Sequence, residues 1–167
     1  MKETPVIPEE LYREFFATAP IGFGVSDEHG RLIDFNQAML DYSGWTREEI
    51  EKMGGVVDLY YDGPADRDRC LAIVREKGHL DRAEVRFKKK DGTWFWSALS
   101  LRPLLIGGKR YMLAISEDIS QRKRAEAERE QRVKELEQIT RMMVDRENKM
   151  IELKDRIRRF ETRNDAP

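Results

Sequence analysis

The sequence predicts an α+β domain, an antiparallel sheet interleaved with short helices, followed by a long C-terminal coiled-coil helix. Three observations predict it. Apolar and polar residues alternate around 21–35, 83–88, 93–101 and 109–117, the period of half-buried strands. Asp91-Gly92 and Gly107-Gly108 join the last three stretches as hairpin turns. From Gln121 onward, 25 of 47 residues are charged, with no Gly or Pro before Ala166.

Hydrophobic residues make up 40% of the 167 and charged residues 38%, too polar a mixture for one globule of that length. The surplus charge is local. Lys+Arg and Asp+Glu number 17 and 21 through Ser120, then 14 and 11 beyond it. The chain is therefore expected to consist of an N-terminal flanking helix within 1–20, a compact core over 21–120, a helix over 121–162 and a disordered tail at 163–167. Neither half has a strong basic excess and the net charge is -1, which argues against nucleic-acid binding. The single Cys70 cannot form an internal disulfide, which fits a reducing compartment. The opening Met-Lys-Glu-Thr-Pro lacks a signal-peptide core and no apolar run is long enough to span a bilayer, so a cytoplasmic location without membrane insertion is expected.

Taken in order, Pro8 opens a helix over Glu9–Thr18 with Leu11, Phe15 and Phe16 on one face. Ile21, Phe23 and Val25 alternate with small residues, and Asp27 to Gly30 supply a turn into a strand ending at Phe35. Asn36 caps a short helix that Gly44 ends. Thr46 and Glu49 form a capping box for another helix through Met53. The segment Val56–Arg69 reads as loop around a single turn. Its Asp58, Asp62, Asp66 and Asp68 lack the ligand spacing of a calcium loop and read as turn formers and helix-start charges, so no metal site is expected. A helix over Ala65–Lys77 follows, with Cys70, Ile73 and Val74 inward and Leu71 a further candidate for that face, and Gly78 stops it. Ala83, Val85 and Phe87 then begin a three-stranded meander.

Several motifs together are similar to the PAS domain family of bacterial signalling proteins: Phe35-Asn36-Gln37-Ala38-Met39, Tyr42-Ser43-Gly44-Trp45, Thr46-Arg47-Glu48-Glu49-Ile50, Lys90-Asp91-Gly92-Thr93, Ser100-Leu101-Arg102-Pro103 and Glu117-Asp118-Ile119-Ser120. They recur in the family's order across about 11–124. The resemblance implies a five-stranded antiparallel sheet of order 2-1-5-4-3 whose one face, covered by short helices, forms a pocket. By the same correspondence, the wall should be built from Val85, Phe87, Ser97, Leu99, Met112, Ala114 and Ser116 of the meander. Phe23, Val25, Phe35, Met39, Val57 and Cys70 should complete it. Such a wall is either a site for a small apolar or weakly polar ligand or a core filled by its own side chains.

The resemblance also implies which cofactors are disfavoured. Light-sensing members carry Asn-Cys-Arg where this chain has Gly55-Val56-Val57-Asp58, so no thiol is placed for a photo-adduct with flavin. Haem-binding members carry His on the long helix, whereas His29 and His79 fall in turns here. A flavin- or haem-binding redox or gas sensor remains the first alternative, and a ligand-free dimerisation adaptor the second.

Trp94 and Trp96 face the opposite side of the sheet from the wall, with Ala98, Leu113 and Ile115. That stripe is covered by Leu11, Phe15 and Phe16 or buried in a dimer, and in the resembled family both can hold together. At the end of the meander, Asp118, Ile119 and Ser120 turn strand into helix, with Asp118 or Ser120 accepting from the first helical turn's free amides. The seam of the helix reads Leu136, Ile139, Met143, Arg146, Met150, Leu153, Ile157 and Phe160, the spacing of a coiled coil; a parallel homodimer is usual for the resembled family. Following Ile119 at heptad spacing places Leu136 in a different frame, a register break that alters supercoiling locally. The cluster Arg122-Lys123-Arg124 is followed by Glu126 at ion-pairing distance and reads as a solvated helix face. The expected function is a non-catalytic sensory and dimerisation module. It would pass a signal through the helix to a downstream signalling domain or partner helix, such as a histidine kinase.

Overall fold

The computed structural model describes residues 8–164, with side chains through Arg159, and the chain parts into two units between Gln121 and Arg122. In the first unit, Pro8 precedes helix α1 (Glu9–Thr18), and strand β1 (Gly22–Asp27) turns into β2 (Leu32–Phe35). Helix α2 (Gln37–Ser43) begins where Asn36 Oδ1 accepts from the Met39 amide, and it ends at Gly44 in the left-handed conformation, φ 72°. Helix α3 (Arg47–Lys52) starts with the expected capping box: Thr46 Oγ1 accepts from Glu49 N, and Glu49 Oε2 accepts from Thr46 N at 2.9 Å. A single 3-10 turn at Val56–Leu59 leads to α4 (Pro64–Lys77), which has Pro at its first turn and Gly78 as its stop.

The meander comprises β3 (Leu80–Lys88), β4 (Trp94–Ile106) and β5 (Lys109–Asp118). All five strands form one antiparallel sheet in the order β2-β1-β5-β4-β3, as the resemblance implies. Strand β4 runs five residues past its predicted end at Leu101, through Pro103. Its partner β3 stops pairing at Leu101, so the missing Pro103 amide costs no ladder bond on that side, while β5 still pairs on the other. Strand β3 begins earlier than the alternation suggests because a bulge between Leu80 and Ala83 interrupts the period; there Arg82 adopts φ 47° and its amide donates to Ser100 Oγ.

Cross-strand pairing sorts the side chains onto two faces. Gly22 opposes Ser116, Gly24 opposes Ala114, Leu101 opposes Ala114 and Val85 opposes Ser97, and this face carries the core. Tyr60, Cys70, Val74, Leu80, Val85 and Leu99 pack there beneath α4. Helix α5 runs Ser120–Asn164, so residues 163 and 164, expected in a disordered tail, are helical; 165–167 lie outside the described residues. Within α5, Arg122 pairs with Glu126 at 2.8 Å, Lys123 with Glu126 at 3.8 Å and Lys134 with Glu130 at 3.0 Å, as expected of a solvated face.

Candidate functional site

Between the inner face of the sheet and the short helices lies a cavity of about 730 Å³, within the range of about 300–1,000 Å³ typical of small-molecule sites. Its space is created by small residues. Gly22, Gly24, Ser26, Ala114 and Ser116 form the floor from β1 and β5, where larger side chains would fill it. Leu32, Met39, Phe87, Leu99, Leu101 and Met112 supply the apolar surround. Phe87 stacks edge-on to Tyr60 at 5.0 Å and tilts against Phe95 at 5.9 Å, which fixes its ring.

Six of the thirteen expected wall residues line this cavity: Met39, Phe87, Leu99, Met112, Ala114 and Ser116. Ser97 lies just behind it, fully buried, sharing a hydrogen bond of 2.7 Å with Ser116 Oγ. Cys70 and Val85 are buried in the core cluster rather than at the surface of the cavity. Phe35 is also buried, away from the cavity, with the Arg47 guanidinium 4.3 Å from its ring centroid. Val57 does not line the cavity, because the 3-10 turn presents Val56 instead. Phe23 and Val25 are on the wrong face altogether. Each opposes an outer-face residue of β5, Ile115 and Leu113 respectively, so the glycines between them face inward.

The family correspondence puts the bulky residues of β1 on the wall, in keeping with the burial usual for an amphipathic strand, and the register reverses that. Leu71 faces the cavity, as the helical pattern allows, but sequence reasoning missed Arg67 and Arg75, which α4 presents there one turn before and one turn after it. That spacing was legible; its direction was not, because Cys70 and Val74 on the adjoining face are the more buried.

Cys70 offers little reactivity. Burial pushes its thiol up, and burial likewise raises the hydroxyl of Tyr60 beside it. His79 pairs with Asp81 at 3.0 Å on the surface, and His29 sits exposed on the β1–β2 turn at the rim of the cavity. Among the described residues, no cluster of His, Cys, Asp and Glu could hold a metal ion. The wall thus offers an incoming group mainly apolar contacts, with hydroxyls from Ser26, Tyr42, Ser43, Tyr60 and Ser116; Cys70 does not line it, and His29 stands at the rim.

The expected cover of the outer stripe is also corrected. Helix α1 docks through Phe16, whose ring lies 6.1 Å from that of Phe23, while Leu11 and Phe15 are 46% and 67% exposed. Ten residues leading directly into β1 reach that strand and not β4. Trp94 and Trp96 instead meet edge-on at 5.6 Å beside Arg86, whose guanidinium lies 5.1 and 5.8 Å from their centroids. Arg86 is held in place by both carboxylate oxygens of Asp62.

At the end of β5, Ile119 is buried and its amide donates to the Trp96 carbonyl at 2.9 Å. The Trp96 amide donates to Ser120 Oγ at 3.1 Å, and the Ser120 amide donates to Asp118 Oδ1 at 2.8 Å. Of the two residues expected to cap the helix, Asp118 does so, taking the amide of the first helical residue, while Ser120 Oγ satisfies a strand amide of β4 instead. Ile119, between the last residue of β5 and the first of α5, extends the β4–β5 ladder by one step.

A family model for the PAS domain matches residues 20–121. The chain belongs to the PAS family. A PAS domain from Colwellia psychrerythraea is 22% identical, with a TM-score of 0.60 over 67% of this chain and 97% of that one. A domain of a sensory box sensor histidine kinase/response regulator from Geobacter sulfurreducens is 24% identical, with a TM-score of 0.54 over 65% and 92%. An RNA-binding Light-Oxygen-Voltage receptor is 20% identical, with a TM-score of 0.60 over 81% of this chain and 41% of that one. At these identities the shared property is the PAS fold. No helix among the described residues is long and apolar enough to cross a membrane.

Proposed function

We propose that this PAS protein is a non-catalytic sensory input module of the cytosol, in which occupancy of the cavity alters the sheet and α5 carries the change to a downstream signalling domain. The observation that carries this reading is the double hydrogen bond between Trp96 and the junction. Trp96 immediately precedes Ser97, whose hydroxyl bonds the cavity-lining Ser116. A displacement of the cavity floor at Ser116 is thus three covalent or hydrogen-bonded steps from the start of the helix, through Ser97 and Trp96 to Ser120. The size of the cavity supports a ligand-bearing module over a ligand-free adaptor.

The apolar residues of α5 support a parallel homodimer. Leu136, Ile139, Met143, Met150, Leu153 and Ile157 are each about half exposed or more in the single chain, and their spacing is that of a seam. Phe160, expected at the same seam, has its side chain outside the described residues. Within the first unit, Trp94 and Trp96 offer a second copy a separate apolar surface on the sheet. The test is to join the chain to a histidine kinase reporter and delete Asp118–Ser120. Signalling should become insensitive to the cavity while both units retain their circular dichroism. Unchanged responsiveness would refute transmission through the junction.

A further inference from the structure

One end of the cavity is basic, and its geometry follows from the pairing of the strands. Asp27 opposes Tyr111, and Leu105 opposes Arg110, so the β1–β2 turn and the tip of the β4–β5 hairpin lie at the same end of the sheet. Helix α4 runs beside that end. Arg67 places its guanidinium against Gly30 of the turn, so close that a Cβ built on Gly30 would lie 2.8 Å from Nη2. Arg75 lies two turns further along the same face of α4, and Arg67, Arg75 and Arg110 all line the cavity.

These guanidinium groups are poorly compensated. Arg75 and Arg110 have no ion pair or hydrogen bond among the described residues, and Arg67 has only its sequence neighbour Asp68 at 3.9 Å. Two carboxylates share the rim. Asp27 is already engaged by Arg31 and by the amides of His29 and Arg31, which hold its carboxyl below the usual range. Glu28 lies beside His29 at 3.8 Å. Lys88 also lines the cavity, but from the opposite end of the sheet, where β3 pairs with Trp94 at the start of β4. Inward from this end the wall becomes apolar, through Leu71, Leu101, Met112, Leu99 and Phe87.

We infer that the cavity binds an amphipathic organic anion, its apolar body against Leu99, Met112 and Phe87 and its carboxylate held by Arg67, Arg75 and Arg110. An apolar wall alone would accept a neutral hydrocarbon equally well; three guanidinium groups without adequate carboxylate partners select for the anion. Because the arginines are partly solvated, the selection weakens as salt rises. The inference rests on the cavity being the sensory site.

Decanoate and decanol, matched in their apolar bodies, separate the charge from the hydrocarbon in calorimetric titrations of the full chain. Decanoate should bind about tenfold or more tightly than decanol, the effect of one retained charge-assisted contact. The triple variant Arg67→Gln, Arg75→Gln, Arg110→Gln should bring the two affinities together while leaving decanol binding and the melting temperature unchanged. Equal affinities for the two probes in the unaltered protein, or a preference that survives the triple variant, would overturn the anion assignment and leave the cavity as an apolar site. Binding of neither probe would overturn both the assignment and the sensory reading of the cavity.

Discussion

The Trp96 backbone spans the junction on both of its polar groups, giving its amide to Ser120 Oγ and taking the amide of Ile119 on its carbonyl. Its ring, with that of Trp94, lies on the outer face, while its neighbours Phe95 and Ser97 are buried on the inner one. One residue of β4 thus connects the cavity side of the sheet, the outer stripe and the first turn of α5. Hydrogen bonds to both groups leave no slack for the helix start to drift independently of the strand.

The two glycines of β1 should respond differently to alanine. At Gly24 a Cβ meets Leu32 Cδ2 and Met39 Sδ at 3.5 Å, ordinary contact, so Gly24→Ala should be neutral or stabilising by about 0.4–1 kcal/mol through lower unfolded-state entropy. At Gly22 a Cβ would stand 3.2 Å from the Ser116 backbone oxygen, which cannot turn away. Gly22→Ala should therefore destabilise, and urea denaturation should place its midpoint below that of the unaltered chain, with the Gly24→Ala midpoint at or above it.

Core and cavity positions should separate in the same assay. Leu80 is buried in the cluster under α4 and does not line the cavity, so Leu80→Ala should cost about 2–5 kcal/mol. Phe87 borders the cavity and is only partly buried, so Phe87→Ala should fall below the ~3–5 kcal/mol typical of a closed aromatic site. A larger loss at Phe87 than at Leu80 would mean that the cavity is closed around that ring.

Cys70 and Tyr60 should make the core sensitive to alkali. Burial raises both groups above their ordinary values of 9.0 and 10.0, so the unfolded chain gives up these protons first. Stability contributed by the protonated pair is complete below about pH 9 and falls as pH rises from there toward the raised native values. Cys70→Ala should flatten the first part of that decline in a series of denaturant melts between pH 8 and 10, at some cost in packing at all pH values. An identical pH slope in the variant would show that the thiol takes no part.

The seam of α5 should control association. Truncation after Gln121 removes Leu136, Ile139 and every later seam residue, and should weaken the dimer in sedimentation at micromolar concentration. Arg146 interrupts the apolar series between Met143 and Met150, so Arg146→Leu in the full chain should strengthen it. A truncated chain that sediments like the full one would assign dimerisation to the sheet surface around Trp94 and Trp96.

Much of the architecture was legible because its signals are local. The Thr46–Glu49 capping box, Asn36 as a cap, and the glycine stops at Gly44 and Gly78 each depend on a few neighbouring residues, and the alternation of β3 and β4 assigns their faces correctly. The candidate site was legible on the meander and misread on β1. In a strand that reads small-large-small, hydrophobicity points Phe23 and Val25 inward, but the cavity needs space and takes Gly22 and Gly24. The arginines were missed for a related reason: residues ordinary on a solvated helix gain meaning only when the turn at Gly30 and the β4–β5 hairpin are brought beside them.

The transmission of a signal from the sheet to the helix is tested most directly by inserting one to seven residues after Gln121 in a fusion to a histidine kinase and measuring output for each length. If the junction hands on a rotation or a change of supercoil, output should oscillate with a period of about seven residues, returning near its starting value at the seventh. A flat or steadily declining response would contradict the account and make α5 a spacer.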